Sequence, residues 1–394
     1  MDYSSSKTRL IVGVAAGLFV SLVSSDCAPI LLGSFIDTYK VSVDKSASLV
    51  TVESLSMAIS MLGILGLFGQ KNVLVIFRFA TLVLVTTQVA TSLVSSYLAL
   101  VLVRMFAGVA SGLAFGTVCA IVASVLDSER VFGIGLIVVN TLVIAVTTVL
   151  PPIIQLYGGR SVTMVLAVVT FVAMLFSSSL PALEKKSSIS STSAIQIDMS
   201  KPFSARTIAF VVALFATPLS LMSVLAFSER VARSMVAPGY IGLVLAIPIL
   251  GLLLGSILPA LFGNHWGSCR TLTLCTLVAS AGASIFARAD NATTLGISLL
   301  LTAACQCLLM PYCLGIASRL DRSGRLASVF GAIFMIGIAI GPIFGSLVGE
   351  RYGYGTIGWV CASICALATL AFAPLARRAD GKRDDRRTLG EIAS

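Results

Sequence analysis

Apolar positions fall in long unbroken blocks along nearly the whole chain, and charged positions gather in short knots between them. The blocks cover residues 10–35, 47–68, 73–93, 98–126, 131–156 and 162–180, then 208–227, 240–262, 272–287, 295–316, 326–348 and 357–375. Each is close to the roughly 20 residues that carry a helix across a bilayer core. Unpaired backbone N–H and C=O groups are prohibitively costly in hydrocarbon, so blocks of this length predict helices rather than barrel strands. The pattern predicts an all-α membrane protein of twelve transmembrane helices. Lys7 and Arg9 precede the first block as they would a secretory signal, but the block stays apolar well beyond the roughly 7–15 residues of a signal's apolar region.

Composition agrees: 57% of residues are hydrophobic and 11% charged, where a soluble domain carries roughly 45–50% and 25%. The net charge of +10 follows the membrane. With the blocks alternating across a bilayer and both termini inside, Lys71, Arg78, Arg130, Lys185, Lys186, Arg270, Arg319, Arg322, Arg325 and the Arg- and Lys-rich end of the chain fall on one side. Few basic residues, among them Lys40, Lys45, Arg160, Arg288 and Arg351, fall on the other. Cytoplasmic loops carry such an excess of Lys and Arg, so the charge reads as topology and inner-leaflet contact, not as nucleic-acid binding. The nine cysteines lie mostly within blocks without Cys-x-x-Cys spacing, and the single histidine, His265, sits in a loop; neither set predicts a metal or cofactor site.

A Ser-rich polar stretch divides the chain. It predicts a six-helix bundle over residues 1–180, a cytoplasmic linker over 181–205, a second six-helix bundle over 206–376 and a charged cytoplasmic tail over 377–394. The halves echo one another. Leu67-Phe68-Gly69 recurs as Leu261-Phe262-Gly263 and Leu126-Asp127 as Leu320-Asp321, both 194 positions on, while Arg130 and Tyr157-Gly158 recur as Arg325 and Tyr352-Gly353, one position further. A near-constant offset over several anchors predicts two parallel pseudo-repeats.

On these residues the chain resembles the major facilitator superfamily. The fourth block carries Arg104 followed by Gly108, Gly112 and Gly116, similar to that family's buried arginine with glycines at helical spacing; glycines four apart share one helix face and allow close helix contact. The eleventh block carries Gly337, Gly341, Pro342 and Gly345, similar to a Gly-Pro motif with which the family bends gating helices, since proline removes a backbone donor. The loop from Gly66 to Asn72 keeps Gly69 and Lys71 of a third motif without its acidic residue, and the loop from Gly255 to Arg270 keeps Gly267 and Arg270. The resemblance points toward the drug and organic-compound proton antiporters, although those carry their Gly-Pro motif on the fifth span, where this chain has Pro151-Pro152. It implies transport by a monomer.

Ionisable residues inside a membrane are costly and mark function by default. Three stand out: Asp26 in the first block, Glu53 in the second and Arg104 in the fourth. Burial raises a carboxyl pKa and a nearby guanidinium lowers it, so Asp26 and Glu53 are expected to form a carboxylate site whose proton occupancy Arg104 tunes, and helix movement would couple proton binding to opening. A clamp of Arg104 on backbone carbonyls is the structural alternative. The second half offers neutral candidates for a solute lining, Gln306, Tyr312, Phe334 and Met335 with Phe215 and Met222, and the first half adds Gln88 and Asn140. Met and Phe in membrane helices are more often packing than ligand contacts.

A mostly apolar lining with few fixed charges suits a small amphipathic or aromatic compound. The expected function is proton-coupled export of such a compound, with proton symport of a small organic acid or sugar as the alternative. No nucleophile-base set, metal-ligand cluster or phosphate loop points to an enzyme. Compact loops suggest a bacterial inner membrane, where the glycosylation pattern Asn291-Ala292-Thr293 has no meaning.

Overall fold

A computed structural model of the chain describes residues 3–63, 73–125, 127–177, 180, 205–236, 241–321 and 325–392. They form fourteen helices: α1 Tyr3–Asp26, α2 Ala28–Tyr39, α3 Val43–Gly63, α4 Val73–Leu93, α5 Tyr97–Ala123, α6 Ser128–Tyr157, α7 Arg160–Phe176, α8 Ala205–Ala226, α9 Ser228–Arg233, α10 Ile241–Phe262, α11 Ser268–Ala287, α12 Ala292–Leu320, α13 Arg325–Tyr352 and α14 Tyr354–Ile392. Among the described residues nine helices are long and apolar enough to cross a membrane. The shorter apolar helices Ser48–Gly63, Arg160–Phe176 and Ala246–Phe262 fall on the second, sixth and eighth blocks, and Ile30–Tyr39 continues the first. The linker expected over 181–205 lies outside the described residues except for Ala205, as does the loop from Gly66 to Asn72.

Fourteen helices arise from twelve blocks because the first block is broken once and the end of the seventh is followed, across a break of almost the same conformation, by the short α9. Cys27, between α1 and α2, has φ −88° and ψ 9°. Phe227, between α8 and α9, has φ −99° and ψ 4°. Pro29, near the start of α2, lacks the N–H that would continue the ladder. At the second break Ser228 Oγ donates to the Leu225 carbonyl at 2.7 Å, a local bond that competes with the regular pattern. The paired Gly158 and Gly353 add a second match, with φ of +79° and +89°. This left-handed conformation costs glycine nothing, and it closes α6 and α13 with bonds from Gly158 N–H to Ile154 O and from Gly353 N–H to Gly349 O.

By contacts the chain divides into one unit of residues 1–124 with 134–187 and another of residues 125–133 with 188–394. In the first unit α3 packs on α5, α4 on α5 and α7, and α1 on α5 and α7. In the second the corresponding pairs recur: α10 on α12, α11 on α12 and α14, and α8 on α12 and α14. Close backbone approach sets these contacts. A Cβ at Gly255 on α10 would lie 2.1 Å from the Ala304 carbonyl on α12, and one at Gly251 would lie 2.6 Å from the Leu300 carbonyl. Outward faces are apolar, with Ile59, Phe79, Leu93, Val168, Leu347 and Leu370 all more than half exposed. Exposed apolar surface on this scale belongs against lipid.

The charged tail expected after residue 376 continues as helix, since α14 runs to Ile392. Pro342 leaves α13 continuous from Arg325 to Tyr352.

These contacts separate two kinds of glycine. Gly33, inside α2, has nothing within 4 Å of an added Cβ, so Gly33→Ala should gain up to about 1 kcal/mol of helix propensity. Gly255→Ala forces α10 away from α12 and should cost about 1–3 kcal/mol. Melting temperatures of the two purified variants, moving in opposite directions, check this.

Candidate functional site

The first unit holds a closed polar cluster built by four helices. Arg104 on α5 is fully buried and Glu53 on α3 is 3% exposed. Arg104 Nη2 donates to Glu53 Oε2 and, at 2.7 Å, to Ser24 Oγ on α1. Ser24 Oγ in turn donates to Glu53 Oε1 at 2.7 Å, so a single hydroxyl links guanidinium and carboxylate a second time. Arg104 Nη1 donates to Gln88 Oε1 on α4 at 3.1 Å. The ring of Phe35 on α2 lies 5.7 Å from the guanidinium carbon, within cation–π reach.

Glycines bring the pair together. A Cβ at Gly108 would stand 2.1 Å from the carbonyl oxygen of Glu53 itself, and one at Gly112 would stand 2.1 Å from the Met57 carbonyl. The Arg104-x3-Gly108-x3-Gly112 spacing therefore does two things on one helix face: it projects the cation and lets α3 approach closely enough for Glu53 to meet it. A buried ion pair needs good geometry and further hydrogen bonds to offset its desolvation; Ser24 and Gln88 provide them here.

Asp26 is placed elsewhere. It is the last residue of α1, it is exposed, and among the described residues no hydrogen bond or ion pair reaches it. The carboxylate pair expected of Asp26 and Glu53 is in this structure a carboxylate-guanidinium pair bridged by Ser24. Gln88, expected in the solute lining, contacts Arg104. Asn140 is buried on α6. In the second unit Gln306 is buried on α12 and neither end of its amide has a partner among the described residues. Tyr312 OH is engaged, donating to the Gly263 carbonyl at 2.7 Å. Phe334 is buried and Met335 partly so. Phe215 and Met222 lie against the glycines of α13: a Cβ at Gly337 would be 2.4 Å from Phe215 O, one at Gly341 2.6 Å from Met222 Cβ, and one at Gly345 2.8 Å from Phe227. Gly116 is buried on α5, and Pro342 follows Gly341, whose carbonyl accepts from Ser223 Oγ at 2.7 Å.

The pseudo-repeat shows what the second unit has in place of the cluster. An offset of 194 carries Glu53, Gln88 and Arg104 onto Ile247, Gly282 and Ser298. Ser298 Oγ donates to the Gly282 carbonyl at 2.8 Å, so the link between the third and fourth spans of each half survives while the charge is gone.

The second unit has its own charged cluster. Glu129, at the start of α6, accepts from Arg319 Nη1 near the end of α12. Arg319 Nη2 also reaches Ser268 Oγ and lies 3.9 Å from Asp380 Oδ1. Asp380, on the extension of α14, accepts from the backbone N–H of Ser268 at 3.0 Å and of Cys269 at 2.9 Å. A carboxylate there caps the first turn of α11 and meets the positive end of its dipole. A Cβ at Gly315 would stand 2.1 Å from Glu129 Oε1, so Glu129 occupies space that only glycine leaves open. Sequence reading counts Arg319 among the basic residues of one side and singles out neither Glu129 nor Asp380, because partners roughly 60 to 190 positions apart carry no local signal.

Two repeated helical units, one with an ion pair buried between its membrane helices, define a transporter-like fold. The sequence profile of the Major Facilitator Superfamily matches residues 203–392. Solved structures share the fold over nearly the whole chain. The proton:xylose symporter XylE, bound to 6-bromo-6-deoxy-D-glucose, has a TM-score of 0.75 at 14% identity, covering 95% of this chain and 97% of its own. The Escherichia coli fucose:proton symporter FucP has a TM-score of 0.71 at 12% identity, covering 94% and 98%. The human organic anion transporter MFSD10 (TETRAN) has a TM-score of 0.72 at 14% identity, covering 93% and 99%. A sequence comparison with curated proteins finds no match. The chain therefore has the fold of major facilitator superfamily transporters.

The cluster predicts strong non-additivity. Glu53→Gln strands a buried guanidinium and should cost about 3–5 kcal/mol, whereas Glu53→Gln combined with Arg104→Gln should recover most of the loss. Arg104→Gln alone strands the buried carboxylate and should cost about 3–5 kcal/mol as well. Thermal melts of the three variants check this.

Proposed function

We propose that the protein is a secondary active transporter of the major facilitator superfamily that moves a small organic solute together with protons. The supporting observation is the ion pair of Glu53 and Arg104, sealed from solvent between membrane helices. A guanidinium stays charged at any working pH, so Glu53 is the member whose charge changes. Protonating it removes the partner that holds Arg104, and the helices carrying Ser24, Glu53, Gln88 and Arg104 then have a second stable arrangement. A proton thereby biases a conformational equilibrium, as ion-coupled transport requires.

Symport takes precedence over the export expected from the antiporter-like motifs. The fifth span carries Pro151-Pro152 in place of the antiporters' Gly-Pro motif, and two of the similar folds are those of proton symporters. Asp26, exposed beside the break at Cys27, is the proposed relay through which the proton reaches the cluster. The protein works as a monomer in a bacterial inner membrane with both termini cytoplasmic.

Proteoliposomes with an inward acid gradient, supplied with a mixed extract of small organic solutes and read by mass spectrometry, test this. Wild type should accumulate at least one solute. Glu53→Gln should lose that accumulation by at least tenfold while still exchanging the solute between the two sides. Accumulation indifferent to the gradient would remove the proton from the cycle; an unchanged Glu53→Gln would remove Glu53 from the coupling step.

A further inference from the structure

Among the side chains of the Arg104 cluster, the groups that lack a partner among the described residues are donors. Arg104 Nε and Gln88 Nε2 are both buried with no acceptor among the described residues. The acceptors are all engaged: both oxygens of Glu53, the Ser24 hydroxyl and Gln88 Oε1. The orientation of the Gln88 amide is fixed by chemistry, because a guanidinium only donates, so the end facing Arg104 Nη1 is the oxygen and the unsatisfied end is the NH2. Buried polar groups are almost always satisfied, and two orphan donors on side chains that touch one another are suited to a ligand that brings acceptor oxygens. Arg319 also has an unpartnered Nε, but its side chain is 14% exposed and needs no ligand to meet it.

Charge decides which oxygens these are. As it stands the pair of Glu53 and Arg104 is neutral. An anion entering beside it leaves the site with one uncompensated buried negative charge, which is strongly disfavoured. A proton on Glu53 restores neutrality and releases Arg104 to serve the anion. A neutral solute gains nothing from that proton, and a cation would face a guanidinium. The Phe35 ring beside the guanidinium adds an apolar face at the same place.

Resting on the symport reading above, we propose that the transported solute is a small organic monocarboxylate, bound through Arg104 and Gln88 and carried with one proton on Glu53. The titratable groups on the elements packed against Glu53 support this assignment. On α5 these are Arg104, which contacts it, and Tyr97, which shares a hydrogen bond with Ser48. On α1 they are Arg9 and Asp26, both exposed. On α2 they are Asp37, also exposed, and Tyr39, which donates to the Thr91 carbonyl. Arg104 is the one that touches the carboxylate.

The test uses the purified full chain in weak buffer, titrated with sodium formate, acetate and benzoate and with sodium chloride as the inorganic arm. Melting temperature and proton uptake are followed together. Formate is the bare head group and fits any carboxylate seat. The expected result is a saturable rise in melting temperature with the carboxylates, uptake of about one proton per anion, and a Kd that weakens about tenfold per pH unit once Glu53 is ionised. Glu53→Gln should bind the same carboxylates without proton uptake and without pH dependence, a split that a merely structural role would not produce. Gln88→Leu should weaken binding about tenfold. No response to formate, acetate or benzoate in wild type overturns the proposal, as does binding without proton uptake or an equal response to chloride. Wild-type proton stoichiometry keeps the proposal falsifiable if Glu53→Gln does not fold. Carboxylate binding with one proton but no gradient-driven accumulation would overturn the symport reading and leave this site standing.

Discussion

An arginine with no solvent exposure can persist among membrane helices only where a carboxylate is held against it, and Glu53 is held by backbone contact. The glycine face of α5 lets α3 approach until the Glu53 carbonyl lies where a Cβ at Gly108 would be. Ser24 on α1 and Gln88 on α4 close the ring, so the packing of four helices and the satisfaction of one charge pair are a single condition. Weakening either loosens the other.

The repeat makes the specialisation plain. Both halves keep similar breaks and a left-handed glycine at Gly158 and Gly353, and the pairings of α1, α3 and α4 with α5 and α7 recur in those of α8, α10 and α11 with α12 and α14. At the cluster the second half carries Ile247, Gly282 and Ser298 and retains one neutral hydrogen bond. One architecture thus supports a charged version and a neutral version of the same helix contact.

Much of this was legible in the sequence because a membrane imposes it. Apolar blocks mark the spans directly, and charges within them stand out, which is how Glu53 and Arg104 are found. The sequence reading runs the first block straight through Cys27 although Pro29 stands beside it, and the break at Phe227 has no proline and shows only in the backbone. Ser24 and Phe35 are invisible for a different reason: serine and phenylalanine are ordinary in membrane helices, and only the helix approach set by Gly108 gives them a role. Asp26 stands out for its charge, but its position at the end of α1 turns it away from the pair. The cluster of Glu129, Arg319 and Asp380 depends on contacts between elements far apart in the chain, and sequence gives no handle on such a meeting.

The continuity of α14 has a practical meaning. Its last turns read like a disposable extension, hydrophilic and charged, the kind of segment commonly trimmed or replaced by an affinity tag. Yet Asp380 stands there with both carboxylate oxygens on the opening turn of α11. A shortened chain would begin that helix with bare amide groups and would leave Arg319 with one acidic neighbour fewer, so protein engineered for easier handling would no longer carry the same electrostatics at the start of α11 as the chain it was cut from.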